Sequence, residues 1–324
     1  MPAHDIEANP MLMRSLGPVA FPGPPPKAPN PALRAASVSV LGLGAGALGE
    51  LRLDEAAGAE LLSRAVELGV TLIDTAPSYG VSEDRIKAFL AAASGRRDRL
   101  VLSTKGGYGV PGVPDWTPDV ISLGIDQALR RMGVDYLDVF FFHSCPKAVL
   151  EKGDLFEPLA RAKAAGKIRM AGYSGENDAL DFAVDSGHFD VVQCSVNPFD
   201  QRSLGGPVAR AAARGIGVFA KRSVGNAPWR FEERPLGQYC EEYWLRMRAM
   251  DVDPMALSSI SWNEAAIRFS AFAAGVTSVL VGTGNPAHLA ESAAWIAKGP
   301  LPSSLESELR RRFHASDRGW FGQV

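Results

Sequence analysis

Polar and titratable residues recur where short apolar runs end along this chain. Asp74 follows one such run, and Tyr79 lies in the loop behind it. Lys105 follows the next, then His143, Ser174 and Gln193. Lys221-Arg222 and Gly282-Thr283 close the last two, and Gly44-Ala45-Gly46 follows the first. Singly, each has an ordinary explanation: a turn cap for Asp74, a rim aromatic for Tyr79, solvated loop residues for Lys105 and His143. Together they supply a carboxylate, a phenol, an ammonium and an imidazole, the groups of general acid–base chemistry, if one fold brings the run ends to a common mouth.

The runs are Val38–Leu43, Val70–Ile73, Leu100–Ser103, Leu137–Phe142, Ile168–Ala171, Val191–Cys194, Ile216–Ala220 and Ser278–Val281. They are short, apolar and rich in β-branched residues, as strands covered on both faces are. Helical stretches separate them. Asp54 is placed to cap a helix over Glu55–Leu68 that stops at Gly69, and Thr117-Pro118 opens another that ends at Gly133. Gly166, Gly187, Gly215 and Gly275 stand where left-handed closing residues are needed. Eight strands alternating with helices predict a (β/α)8 TIM barrel over residues 36–324, with its chemistry at the carboxyl ends of the strands. Residues 221–253 form the longest connection, with a short helix expected near Gln238–Met247, and read as a lid. Residues 1–35 hold the run Phe21-Pro-Gly-Pro-Pro-Pro26 and read as an irregular, proline-rich leader without chemistry.

A chain of 324 residues, 46% hydrophobic and 22% charged, can bury a sizeable core. A net charge of −2 and a pI near 6.2 argue against nucleic acid and acidic lipid as partners. Cys145, Cys194 and Cys240 show neither metal spacing nor a disulfide framework, so no metal is expected and a reducing compartment fits. The N-terminus lacks the basic start and apolar run of a signal peptide, and no stretch has the roughly 18 apolar residues of a membrane span. The cytoplasm is the expected location. Oligomeric state is not legible in the sequence.

One motif competes with the barrel. Gly44-Ala-Gly46-Ala-Leu-Gly49 fits the G-x-G-x-x-G dinucleotide fingerprint, with Asp74 downstream as its acidic partner, so a Rossmann-type dehydrogenase is a rival reading. The bland alternative is a tight glycine turn at a barrel mouth.

The segment Ile73-Asp-Thr-Ala-Pro-Ser-Tyr-Gly-Val-Ser-Glu83 resembles the signature of the aldo-keto reductase superfamily. Ser103-Thr-Lys105, Phe141-Phe-His143, Gly166-Lys-Ile-Arg169 with Gly172-Tyr-Ser174, and Gly282-Thr-Gly-Asn-Pro-Ala-His-Leu289 are similar to its further blocks, in order over about residues 37–297. The resemblance implies an NAD(P)H-dependent reductase of a small-molecule aldehyde or ketone, with Tyr79 as proton donor. A phenol titrates near 10, high for neutral pH, and a neighbouring Lys105 would lower that value. Asp74 would keep Lys105 charged, and a neutral His143 would orient the carbonyl oxygen.

The resemblance further implies a cofactor site of Gly44, Ala45, Gly46, Asp74, Ser174, Gln193, Lys221, Arg222, Gly282, Thr283, Asn285 and His288. Four positions depart from the family pattern. Gly175 replaces an asparagine that contacts the carboxamide, with Asn177 as the candidate substitute, and Lys221 replaces a stacking aromatic. His288 stands where a cation for the 2′-phosphate is usual, and Ser292 where an asparagine is. NADP is the expected cofactor, with NAD as the alternative. Trp116, Phe142, Trp229 and Trp320-Phe321 are expected to wall the substrate pocket. A reading of another class is an NADPH-binding regulatory subunit with little turnover, a role that the short leader does not favour.

Overall fold

The computed structural model describes residues 11–16, 37–252, 257 and 260–324. The proline run from Phe21 and the far end of the 221–253 connection lie outside the described residues. Eight parallel strands close a barrel: β3 (Leu41–Gly44), β4 (Leu72–Asp74), β5 (Val101–Gly106), β6 (Leu137–His143), β7 (Ile168–Ser174), β8 (Val191–Ser195), β9 (Gly217–Lys221) and β10 (Ser278–Gly282). β10 pairs with both β3 and β9, which closes the ring. The (β/α)8 expectation therefore holds, and the Rossmann reading, which needs an open sheet, does not.

The expected helix caps are present. Asp54 accepts from Ala57 N at the head of Glu55–Glu67, and Thr117 accepts from Val120 N at the head of Pro118–Met132. Gly69, Gly133, Gly166, Gly187, Gly215 and Gly275 all have positive φ, the conformation glycine adopts without a Cβ penalty. The helix of the long connection spans Glu241–Met250, a few residues later than expected.

Two expectations at the amino end change. The run Val38–Leu43 is not one strand: Ser37–Ser39 (β2) leaves the barrel to pair antiparallel with Met13–Ser15 (β1), and only β3 joins the barrel. The leader is thus not irregular throughout. β1 lies against the barrel, where Arg14 donates to the carbonyls of Ala271 and Val276. Leu16, just after it, is buried with the barrel's interior cluster.

That cluster contains Leu72, Val101, Val139, Phe141, Met170, Val191, Phe219 and Leu280. Side chains alternate along a strand, so two residues on from an inward position is inward again. From those residues the rule gives Asp74, Ser103 and Lys105, His143, Ser174, Gln193, Lys221 and Gly282. The same parity that fills the barrel aims the polar ring into its carboxyl mouth. The intervening residues, such as Phe140 and Phe142, pack outward into the larger core beneath the helices.

Candidate functional site

Lys105 is fully buried, and its Nζ donates to Asp74 Oδ2 at 2.6 Å and to the Thr75 carbonyl at 2.9 Å. Asp74 Oδ1 accepts from Ser103 Oγ at 2.7 Å, so the carboxylate is held from two strands. Burial pulls the lysine's pKa down, but the Asp74 charge and the Tyr79 phenol outweigh it and hold the ammonium above its ordinary value. The Tyr79 ring centroid lies 5.1 Å from Lys105 Nζ, and the edge of the ring meets His143, centroids 6.3 Å apart at 86°. His143 is pulled down to about 3, first by burial and then by Lys105 and Lys221. It is therefore neutral at physiological pH. Asp74, Tyr79, Lys105 and His143 thus share one cleft.

The loop that presents Tyr79 is fixed by the glycine turn. An added Cβ at Gly49 would stand 1.8 Å from the Tyr79 carbonyl oxygen, and one at Gly80 would stand 2.4 Å from that of Gly49. Ser82 Oγ donates to the Ala45 carbonyl, tying the following helix to the same turn. Of the fingerprint glycines, Gly49 serves a close backbone approach, and Asp74 serves Lys105.

Asp74, Tyr79 and His143 line a cavity of about 690 Å³ at the barrel mouth, with Lys105 buried behind them. Gly44, Gly46, Ser174, Gln193, Lys221, Arg222, Gly282, Thr283 and His288 line the same cavity; Ala45 and Asn285 do not. Ala45 is fully buried and directs only backbone bonds, and Asn285 caps the helix Pro286–Ala297 by accepting from Ala287 N. Ser174 Oγ donates to Gln193 Oε1 at 2.9 Å. Gln193 Nε2 is buried and has no partner among the described residues, so one amide donor stands ready beside the cleft. A buried unpaired donor is costly and points to an absent acceptor. Together with the size of the cavity and the helix Pro286–Ala297, whose first turn contributes His288 to its wall, it fits a nicotinamide dinucleotide.

Several expected contacts are used elsewhere. Asn177, at φ +58°, does not face the cavity: it exchanges two hydrogen bonds with Gly322 and clasps the C-terminal segment, leaving Val324 on the cavity wall. Gly175 has no room for an asparagine, since a Cβ there would stand 2.3 Å from the Tyr173 hydroxyl. Lys221 pairs with buried Glu176 at 3.1 Å, and Arg222 donates to the Tyr239 hydroxyl. Thr283 Oγ1 binds both Asn285 N and His288 Nδ1, and Ser292 Oγ donates to the His288 carbonyl.

The aromatic walls are also displaced. Phe142 packs outward on Phe189 and Phe156, Trp229 stacks on Trp262, and Trp320 packs on Phe313. Trp116 lies over Gly107 and beside Tyr108, and Phe321 is largely exposed. None of these lines the cavity, whose wall mixes polar residues such as Arg222, Asn226, Arg230 and Glu291 with apolar ones such as Val224, Ile267, Leu280 and Val324, and with Tyr239 and Trp295 as further aromatics. Sequence reasoning missed Tyr108, whose hydroxyl lies 2.7 Å from His143 Nδ1, and Glu176. Tyr108 sits three residues past Lys105, after the double glycine, which is a weak signal at best.

Among the described residues no helix is long and apolar enough to cross a membrane. The profile of the Aldo/keto reductase family matches residues 40–310. The chain is 28% identical to a D-threo-aldose 1-dehydrogenase of a Pseudomonas species over 86% of this chain and 96% of that one. It is 29% identical to the L-galactose dehydrogenase of Arabidopsis thaliana over 43% of this chain and 45% of that one. In fold it is similar to an aldo-keto reductase of Bacillus halodurans solved in its holo form, with a TM-score of 0.74 at 20% identity over 93% and 96% of the two chains. With that much of its length matched and a closed parallel barrel beneath the match, the chain belongs to the aldo/keto reductase family of oxidoreductases.

Proposed function

We propose that this protein interconverts a hydroxylated aldehyde or ketone and the corresponding alcohol by hydride exchange with a nicotinamide dinucleotide, Tyr79 moving the proton. The observation that carries this reading is the buried Asp74–Lys105 pair beneath the Tyr79 ring. The ammonium stands beside the phenol, where it can stabilise the negative charge left on the Tyr79 oxygen as the proton passes to a developing alkoxide. Asp74 keeps that charge in place, and neutral His143 offers a hydrogen bond to the carbonyl oxygen. Ser174 and Gln193 would hold the carboxamide of the cofactor, which supplies or accepts the hydride when bound. We read residues 221–253 as the lid.

Arg222, Asn226, Arg230 and Glu291 in the cavity wall offer hydrogen bonds to a sugar-like substrate, and the tryptophans expected to wall a planar aromatic one are packed elsewhere, in keeping with the aldose and galactose names of two relatives. For the nucleotide we propose NAD. Lys221 pairs with Glu176 and Arg222 donates to the Tyr239 hydroxyl, Asn285 does not line the cavity, and Glu291 does.

The test combines binding and turnover. Trp295 lines the cavity, so its fluorescence should be quenched more tightly by NAD than by NADP. Tyr79→Phe should keep that binding while aldose turnover falls by about 10²–10⁴. An unchanged rate would refute the role of Tyr79, and tighter NADP binding would refute the nucleotide assignment. Binding of either nucleotide with no turnover of any aldose, aldehyde or ketone would favour a regulatory cofactor-binding role.

A further inference from the structure

A second tyrosine stands behind His143. The Tyr108 hydroxyl lies 2.7 Å from His143 Nδ1, and the two rings stack at 5.5 Å with 23° between their planes. Tyr108 is fixed in turn. Trp116 meets it edge-on at 6.0 Å and lies against Gly107, where an added Cβ would be 2.0 Å from the indole. Gly107 has φ +124° and accepts a hydrogen bond from Trp116 N at 2.7 Å. Tyr108 itself does not line the cavity, so it acts on anything bound there only through His143.

A neutral imidazole carries one N–H, and the nitrogen that has it is set by the partner of the other. Among the described residues, His143 Nδ1 is the one hydrogen-bond partner of the Tyr108 hydroxyl. A phenol O–H with a single nitrogen partner donates to it, which makes Nδ1 the acceptor and leaves the hydrogen on Nε2. The reverse tautomer would leave the phenol hydrogen without a protein acceptor among the described residues and would put a lone pair on Nε2, which would repel a carbonyl oxygen bound in the cleft.

We propose that Tyr108 is a positioning residue that locks His143 in the Nε2–H tautomer and so makes it a donor to the substrate oxygen. This rests on the carbonyl-oxidoreductase reading, but its first test does not. Long-range proton–nitrogen correlation spectra of the full chain, labelled at its five histidines, read the tautomer directly. His143→Gln identifies the signals. In the wild type at pH 7, His143 should be protonated at Nε2, with the Nδ1 resonance moved upfield by an accepted hydrogen bond. In Tyr108→Phe, which keeps the stacked ring, that resonance should move downfield and a share of the Nδ1–H form should appear. In glyceraldehyde reduction, kcat/KM should fall roughly ten-fold, the worth of one hydrogen bond, while NAD and NADP affinities hold.

A wild-type Nδ1–H form, or spectra that Tyr108→Phe leaves unchanged, would overturn the lock. A changed spectrum with unchanged kcat/KM would overturn its catalytic consequence. If the spectra behave as expected while the wild type reduces no carbonyl, the functional reading falls and the tautomer assignment stands.

Discussion

His143 illustrates how burial converts an ordinary titrating group into a fixed one. Its folded pKa of about 3 lies below the unfolded value near 6.5, so the unfolded chain binds the extra proton more readily. The stabilisation is fully present above pH 6.5 and is lost as pH falls toward 3, at up to about 1.4 kcal/mol per unit. Urea titrations across that window should show the wild type losing stability faster than His143→Gln; parallel curves would mean that the imidazole is solvated. By the same argument, kcat/KM should carry no imidazole limb between about pH 5 and 8.

At the scale of elements, the glycine turn after β3 and the loop after β4 behave as one piece. Gly49 touches the Tyr79 carbonyl, and Arg85, in the helix Ser82–Ala91, donates to the Leu48 carbonyl on the same turn. A Cβ at Gly49 must push the Tyr79 loop, and displacements near 1 Å can cost about 10² in rate. Gly49→Ala should therefore lower kcat by that order while cofactor affinity changes little. A kcat within two-fold of wild type would show that the loop relaxes freely. The C-terminal segment is held by comparable means, with Asn177 clasping Gly322 and Arg246 donating to the Phe321 carbonyl, so the wall of the pocket beside Val324 is built by tertiary contact.

Across the whole molecule, the two ends of the barrel divide the labour. The carboxyl end holds the polar ring, and the interior below it is apolar, with Leu16 among its fully buried side chains. Leu16 packs where a Cβ on Gly217 would lie 3.2 Å from it, so the space is filled tightly. Leu16→Ala should cost about 2–5 kcal/mol in chemical denaturation with turnover unchanged at low denaturant. A smaller loss would mean that β1 and β2 are an appendage and not part of the core.

The sequence alone determined the barrel, the caps of its helices at Asp54 and Thr117, and the four groups of the cleft. Eight apolar runs, their capping residues and the strict two-residue alternation of strands leave little freedom about which side chains face inward. It could not determine what the remaining polar and aromatic residues touch. Asn177 reaches a segment 145 positions away, Lys221 finds Glu176, and Phe142 and Trp229 turn to packing partners, each through contacts between elements distant in sequence. Tyr108 joins His143 for the same reason: hydrogen-bond partners across a barrel mouth are fixed by strand register and loop path, which local composition does not encode.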